Sequence, residues 1–325
     1  MNRRDSKELL IASKRFASED RWISWWCLSS TILIYATLLA VAASRLSYSL
    51  RLPCSILAGL VHVRLFVIFH DVQHGAVLQN SKTAKIVMGV FGLLSLNPPS
   101  VWNHSHDHHH LHNSNGFGEN VGSYPILTTT EYKALSGTAR LRYAMARHPM
   151  TMLMGYFTVF LWRMTIRPLI NDPIRHRDGL YAVALHVLAL CLLTRISLDA
   201  MLLGICLPLT IASCIGAYLF YAQHNFPTAR LRSGSEWSHV DAALNSSSFI
   251  PMGPLMQWLT GNIGFHHVHH LNARIPFYRL PEAMSALVEL QTPRVTTLSW
   301  IDVRRCLKLK LWDVELDRLV GFDEC

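Results

Sequence analysis

The chain has 325 residues, of which 50% are hydrophobic and only 16% charged, and its formal net charge is +9. That is too apolar and too weakly charged for an average soluble protein, and it points to an integral membrane protein with a sizeable polar part. The basic excess fits cytoplasmic loops rich in Lys and Arg, and a nucleic-acid partner is not expected, because no basic stripe alternates with aromatic residues. The seven cysteines include no CxxC pair and most lie in apolar stretches. They read as small, reduced hydrophobes, with no disulfide framework and no thiolate metal site.

Residues 1–21 are polar and basic (Arg3, Arg4, Lys7, Lys14, Arg15, Arg21), and Leu9, Leu10, Ile11 and Phe16 suggest a short amphipathic helix on the membrane surface. The apolar run that follows is too long for the core of a cleaved signal peptide. It forms a first span over about 22–43, with Trp22, Trp25 and Trp26 as interfacial anchors. A second span over about 52–69, with Pro53 near its first turn, delivers His70 and His74 at its end. His62 lies eight residues earlier on roughly the same face, and a hydrogen bond to a neighbouring helix is its expected role. Residues 86–96 are apolar but short and end at Asn97-Pro98-Pro99, which predicts an interfacial segment. Residues 114–149 read as a water-exposed stretch.

Three apolar segments come next, at 150–162, 180–196 and 201–221. If all the histidine clusters meet on one side of the membrane, an even number of crossings separates the second cluster from His224. The first segment is the shortest and runs into Arg163, Arg167 and Pro168, so it is read as interfacial. The other two form a hairpin turning at Ser197-Leu198-Asp199, with His186 as a packing histidine and Pro208 as a source of a kink. The expectation is an all-α integral membrane protein with about four transmembrane helices and a single domain over residues 1–325. A cytoplasmic helical cap, residues 97–149 and 222–325, would carry a His-rich di-metal site. Both termini fall in the cytoplasm, as expected for a bacterial inner-membrane protein. Within the cap, Val303–Phe322 alternates charged and apolar residues like an amphipathic helix.

The histidine spacing carries the chemistry. His70 and His74 are i, i+4; His106, His109 and His110 are i, i+3, i+4; His266, His269 and His270 repeat that second spacing. Such residues share one helix face, so they can grip a metal without breaking the backbone. Eight imidazoles exceed what one tetrahedral zinc can use, which points to two metals, although imidazole suits iron, zinc, copper or nickel alike. His224, placed at the end of the fourth span as His70 is at the end of the second, is a ninth candidate on geometry rather than motif.

These motifs resemble those of the membrane fatty acid desaturases, with the bacterial acyl-lipid, delta-12-like branch as the nearest pattern. The resemblance is carried by His70-Asp71 with His74, by Trp102 with His106 and His109-His110, and by Gln223-His224 with Trp237. It continues in His266-His267-Val268-His269-His270-Leu271, Arg274-Ile275-Pro276 and Tyr278, and covers most of the chain. It implies a di-iron centre on the cytoplasmic face bound by His70, His74, His106, His109, His110, His224, His266, His269 and His270. His104, His108, His112 and His267 fall outside the pattern. It further implies an O2-dependent reaction that places a cis double bond in a lipid acyl chain. Two electrons would come from an external ferredoxin- or cytochrome-b5-like donor with its reductase. In the acyl-CoA branch an Asn stands one turn before the lone His; here that position is Phe220, and Gln223 is the nearest polar candidate to complete the second iron's surroundings. Asp71, Asp107 and Asp241 are candidates to orient ligand rings, with Asp71 equally readable as a helix-end cap. Alternatives are a hydroxylase, ketolase or alkane oxygenase on the same histidines, a zinc hydrolase, which would want a Glu that no cluster contains, or a non-catalytic metal-binding membrane protein.

Overall fold

The computed structural model describes residues 4–115 and 124–325. Arg3 and part of the stretch expected to be water-exposed therefore lie outside the described residues. The described residues are mostly helical, and among them four helices are long and apolar enough to cross a membrane: Arg21–Ala43, Tyr48–Gln73, Asp178–Ile196 and Leu198–Ala222. Asp20 starts the first span by accepting from the Trp22 and Ile23 N–H groups, which satisfies donors that a helix start leaves open. Extended Ser197 separates the third and fourth spans, and its hydroxyl accepts from the Ala200 N–H. Pro208, expected to kink the fourth span, follows a π-helical stretch, Leu202–Cys206, which shifts the hydrogen-bond register just where proline lacks an N–H.

The second and fourth spans pack closely. A Cβ on Gly59 would stand 2.8 Å from the Ile211 Cβ and 2.9 Å from the Pro208 carbonyl oxygen, so only glycine fits there. One turn away the Ser55 hydroxyl donates to the Leu203 carbonyl at 2.7 Å. This contact brings the ends carrying His70 and His224 to the same face. The first span packs on the second, where buried Arg64 donates to Thr31 Oγ1 (3.1 Å) and to the Trp258 carbonyl (2.6 Å). Inside an apolar span such a cation is retained only with this kind of partner set.

The remaining chain forms a cap over that face. Lys82–Leu94 and Pro99–Leu111 meet at 95° across a break at Ser95–Pro98. Leu96 there takes a positive φ of 57°, and its carbonyl accepts from the Thr165 hydroxyl. Residues 149–171 form three short helical pieces, Pro149–Leu153, Tyr156–Ile166 and Arg167–Asn171. The N-terminal helix Ser6–Ser13 buries Leu9, and Phe16 follows, in the same core as Leu280, Leu287 and Leu290, so these side chains serve cap packing.

Two sequence readings of the cap are corrected. Val303–Phe322 is not one amphipathic helix: the helix spans Trp300–Lys308, and Leu311–Asp313 then pairs antiparallel with Arg318–Val320. Asp313 Oδ1 accepts from the Glu315 and Leu316 N–H groups and makes the turn, while Leu311, Trp312, Leu319 and Val320 are buried. The stretch 114–149 is not simply solvent-exposed either. Leu127–Thr128 adds a parallel strand to that hairpin, and Tyr143 and Arg147 are buried beneath it.

Candidate metal centre

Two short helices and the ends of two spans converge on one point. His70 lies in the last turn of the second span and His74 caps it. His106, His109 and His110 come from Pro99–Leu111, His224 follows the fourth span, and His266, His269 and His270 come from the helix His266–Leu271. The side chains form two groups that could each hold a metal ion: His70, His74, His106, His110 and His269, and His109, His224, His266 and His270. The groups are contiguous, since the His110 ring of the first stacks on the His270 ring of the second at 4.4 Å.

The nitrogen spacing tests whether metals fit. Nε2 atoms face one another at 3.1 Å for His106 and His110, 3.0 Å for His110 and His269, and 3.1 Å for His109 and His224. The remaining pairs are His224 with His266 at 2.9 Å and His266 with His270 at 3.1 Å. His224 Nδ1 donates to the Ser246 carbonyl at 3.1 Å, so its Nε2 carries a bare lone pair aimed at two other imidazoles. A cation between such nitrogens would satisfy several lone pairs at once. Two nitrogens each about 2.1 Å from one ion stand about 3.0 Å apart at a right angle and about 3.4 Å apart at the tetrahedral angle. The short pairs, with all candidate ligand atoms of each group within 4.8 Å of one another, leave each group able to close on one ion, and buried His74 Nε2 has no hydrogen-bond partner among the described residues.

Electrostatics agrees with neutral, ligand-ready imidazoles. Burial pushes His224 down to about 4, and burial and neighbouring imidazoles hold His266, His269 and His270 well below the usual histidine range. Neutral imidazole is the form that binds metal.

The supporting residues sort clearly. Buried Asp71 does both things expected of it: Oδ1 lies 2.9 Å from His70 Nδ1, and Oδ2 accepts from the Phe277 N–H at 2.7 Å. Gln223 Nε2 donates to the Ile263 carbonyl at 2.7 Å, joining the fourth span to the loop before the last histidine helix. Asp107 is exposed and has no bond to a ligand ring, and Asp241 accepts from Asn245 at 2.7 Å. Neither reaches the histidines, because Asp107 faces out from its helix and Asp241 is held by its own. His267 Nε2 bonds to the Leu290 carbonyl, His108 stacks on His112, and His104 is exposed, so all four lie outside the two groups. His62 bonds to Tyr35 of the first span at 3.0 Å, and His186 bonds to Tyr156. Phe220 packs 5.1 Å from the His109 ring, so an apolar wall stands beside the second group.

A cavity of 380 Å³ adjoins the first group. Trp102, stacked on His106 at 4.5 Å, forms part of its wall, and His106 itself lines it. Phe66, Phe160, Ala212, Gly216 and Phe220 supply an apolar lining between the spans, and the exposed Arg167 and Asp172 and the partly buried Arg163 also line it. The polar members of this wall were not foreseen from the sequence, since they come from separate short elements with no common spacing.

Comparison with known proteins agrees with this architecture. A family model described as fatty acid desaturase matches residues 46–300. A fatty acid desaturase of Bacillus subtilis is 35% identical over 290 residues, 87% of this chain and 81% of that protein. The sn-1 oleoyl-lipid 12-desaturase of Synechocystis sp. is 24% identical over 246 residues, 72% of this chain and 68% of its own. A chloroplastic sn-2 acyl-lipid omega-3 desaturase (ferredoxin) of Helianthus annuus is 27% identical over 293 residues, 84% of this chain and 63% of its own. A match across most of the chain, joined to paired imidazole groups beneath a cap on four spans, places this protein in the fatty acid desaturase family, a family of oxidoreductases.

Proposed function

We propose that the protein is an O2-dependent acyl desaturase acting on lipid chains through two iron ions held by the nine grouped histidines. The observation that carries this reading is the pair of imidazole-only groups set against an apolar cavity between membrane spans. When bound, an iron pair supplies the oxidising power of O2, which zinc, with no redox chemistry, does not. The overall reaction takes –CH2–CH2–, O2, two electrons and two protons to –CH=CH– and two waters.

The chain's own residues do the positioning. Asp71 and the Ser246 carbonyl hold His70 and His224 through Nδ1, leaving Nε2 free for metal. Trp102 and Phe220 form a wall beside the histidines that fixes an acyl chain and keeps water from it. The nine residues act as one site within a single unit, residues 1–325. The shared face of the second and fourth spans and the basic residues around 140–177 and 274–310 support a cytoplasmic site, cytoplasmic termini and a bacterial inner-membrane location. Electrons come from a separate carrier, in keeping with the word ferredoxin in the name of the sunflower relative. A delta-12-like preference is supported by the motif pattern and by the cyanobacterial relative's name.

The test is the fatty-acid profile of a bacterial host expressing the chain, with double bonds located by mass spectrometry, against His269→Ala at matched membrane level. A new unsaturated chain made only with the intact site is expected. A hydroxylated or keto product would move the assignment to an oxygenase on the same histidines. No altered lipid, with iron bound and a reductase supplied, would refute it.

A further inference from the structure

The cap carries an apolar rim that the described residues leave uncovered. Leu255 is 70% exposed, Trp300 76% and Ile301 61%, and Trp258, Val295 and Leu298 are exposed as well. Exposed apolar groups gathered in this way mark a contact surface. They come from two segments that the backbone ties together. The Phe249 N–H donates to the Arg294 carbonyl at 2.7 Å, and the Thr296 N–H donates to the Phe249 carbonyl at 3.1 Å. Thr296 Oγ1 lies 3.4 Å from the buried Cys306 Sγ, which joins the same stretch to the helix Trp300–Lys308.

Two contacts give the depth of this rim. The Arg64 guanidinium stands 4.5 Å over the Trp258 ring, and it donates to the Trp258 carbonyl. The helix Trp300–Lys308 packs on the fourth span, where the charge of Asp302 reaches Tyr218. Arg64 stands six residues before His70, and Tyr218 six before His224. At 1.5 Å per residue, each lies about 9 Å down its span. Both segments therefore reach the same level, below the histidines and beside the span ends. That is the depth at which headgroups give way to acyl chains, and Trp is the side chain that suits this boundary. Trp300, Arg304 and Lys308 recur every four residues, so an exposed ring and two exposed cations share one stripe of the helix. Arg305 pairs with Asp302 at 3.6 Å, whereas no described carboxylate pairs with Arg304 or Lys308.

We propose that the rim formed by residues 251–258 and 295–301 inserts into the lipid leaflet on the histidine side, with Arg304 and Lys308 holding anionic headgroups. The leaflet then braces the last histidine helix. The Ile250 N–H, at the start of the rim, donates to the Gly264 carbonyl at 2.9 Å, two residues before His266.

The experiment uses the full chain in phosphatidylglycerol nanodiscs, with the exposed Cys191 and Cys325 changed to Ser. A nitroxide is attached at Ile301→Cys or, as a second site, at Leu255→Cys. Its relaxation is measured with oxygen, which concentrates in lipid, and with a polar nickel chelate, which stays in water. At both sites, collisions with oxygen and loss of collisions with nickel are expected. Glu315→Cys, in the exposed C-terminal turn, keeps its nickel collisions. Nickel collisions at both rim sites would place them in water and overturn the inference. Loss of both colliders would mean that a second copy of the chain or another protein covers the rim, which overturns it too. In a second arm, discs holding equal phosphatidylglycerol and phosphatidylcholine are dispersed, and the retained lipids are counted by native mass spectrometry. Arg304→Gln combined with Lys308→Gln is expected to lower the ratio of anionic to zwitterionic lipid by about fivefold or more, since each basic residue at an anionic surface contributes about fivefold. An unchanged ratio in the folded double variant overturns the assignment of the headgroups to these two cations.

Discussion

Asp71→Asn is the sharpest probe of how the site is held. The carboxylate serves two partners at once, His70 Nδ1 at 2.9 Å and the Phe277 N–H at 2.7 Å, and both lie on the donor side when His70 presents Nε2 to a metal. An amide of the same shape has one acceptor and one donor end. If its oxygen faces Phe277, its NH2 faces His70, and the ring relieves the clash by moving its proton to Nε2. That tautomer has no lone pair for metal. If the oxygen faces His70, the buried Phe277 N–H is left against an NH2, at a cost of about 1–3 kcal/mol. Loss of such an orienting partner weakens metal binding by about 10- to 100-fold, or about 1.4–2.7 kcal/mol. The assay is iron retention against a graded chelator series, read by elemental analysis, with metal-free thermal unfolding as a control for folding. The first group, which contains His70, is expected to empty first, with one iron retained at intermediate chelator. Wild-type retention of both ions in a folded Asp71→Asn protein would refute the reasoning.

Two further outcomes test the surroundings. Burial, with the neighbouring Arg147, pushes Lys310 down to about 7, and its ammonium donates to the Arg147 carbonyl. Between about pH 7 and the ordinary lysine value the unfolded chain holds a proton that the folded chain has shed, so stability rises with pH across that window. Lys310→Met is expected to flatten this rise in thermal unfolding measured from pH 7 to pH 9.5, and an unchanged slope would count against the assignment. Gly216 faces the cavity, where an added Cβ would meet only the Phe160 ring at 3.9 Å. Gly216→Leu should therefore fold, keep its iron and shorten the acyl chains accepted, as read by product chain lengths; an unaltered product range would show that the cavity does not hold the chain.

The histidines were legible because i, i+3, i+4 spacing defines a helix face whatever the tertiary arrangement, and the spans because their length must match a bilayer. Which carboxylate supports them was not legible. Asp71 and Asp107 each sit inside a histidine motif, and only the fold shows that Asp71 is buried against His70 and the Phe277 N–H while Asp107 faces out. The C-terminal misreading has a similar cause. Leu309, Trp312, Leu316 and Leu319 fit a helical stripe, but the turn made by Asp313 folds this stretch into a hairpin instead. The cavity's polar wall draws on Ser95, Asn97, Trp102, Tyr124 and Arg163, whose proximity depends on the 95° bend and on pieces too short to carry a pattern.

The composition of the two histidine groups constrains the order in which the protein matures. The first contains His269 and the second His266 and His270, so neither is complete until residues 266–270 have been synthesised. By then all four spans have emerged for insertion, which makes metal capture a late, post-insertion event rather than a nucleus for folding. The N-terminal segment has a matching wait. Arg4 pairs with Glu289, Ser13 with Asn272, and Tyr278 with Asp20, all across more than 250 residues. Residues 4–20 are thus fastened by residues made more than 250 positions later, and a chain truncated before residue 266 would lack this latch, one histidine of the first group and two of the second.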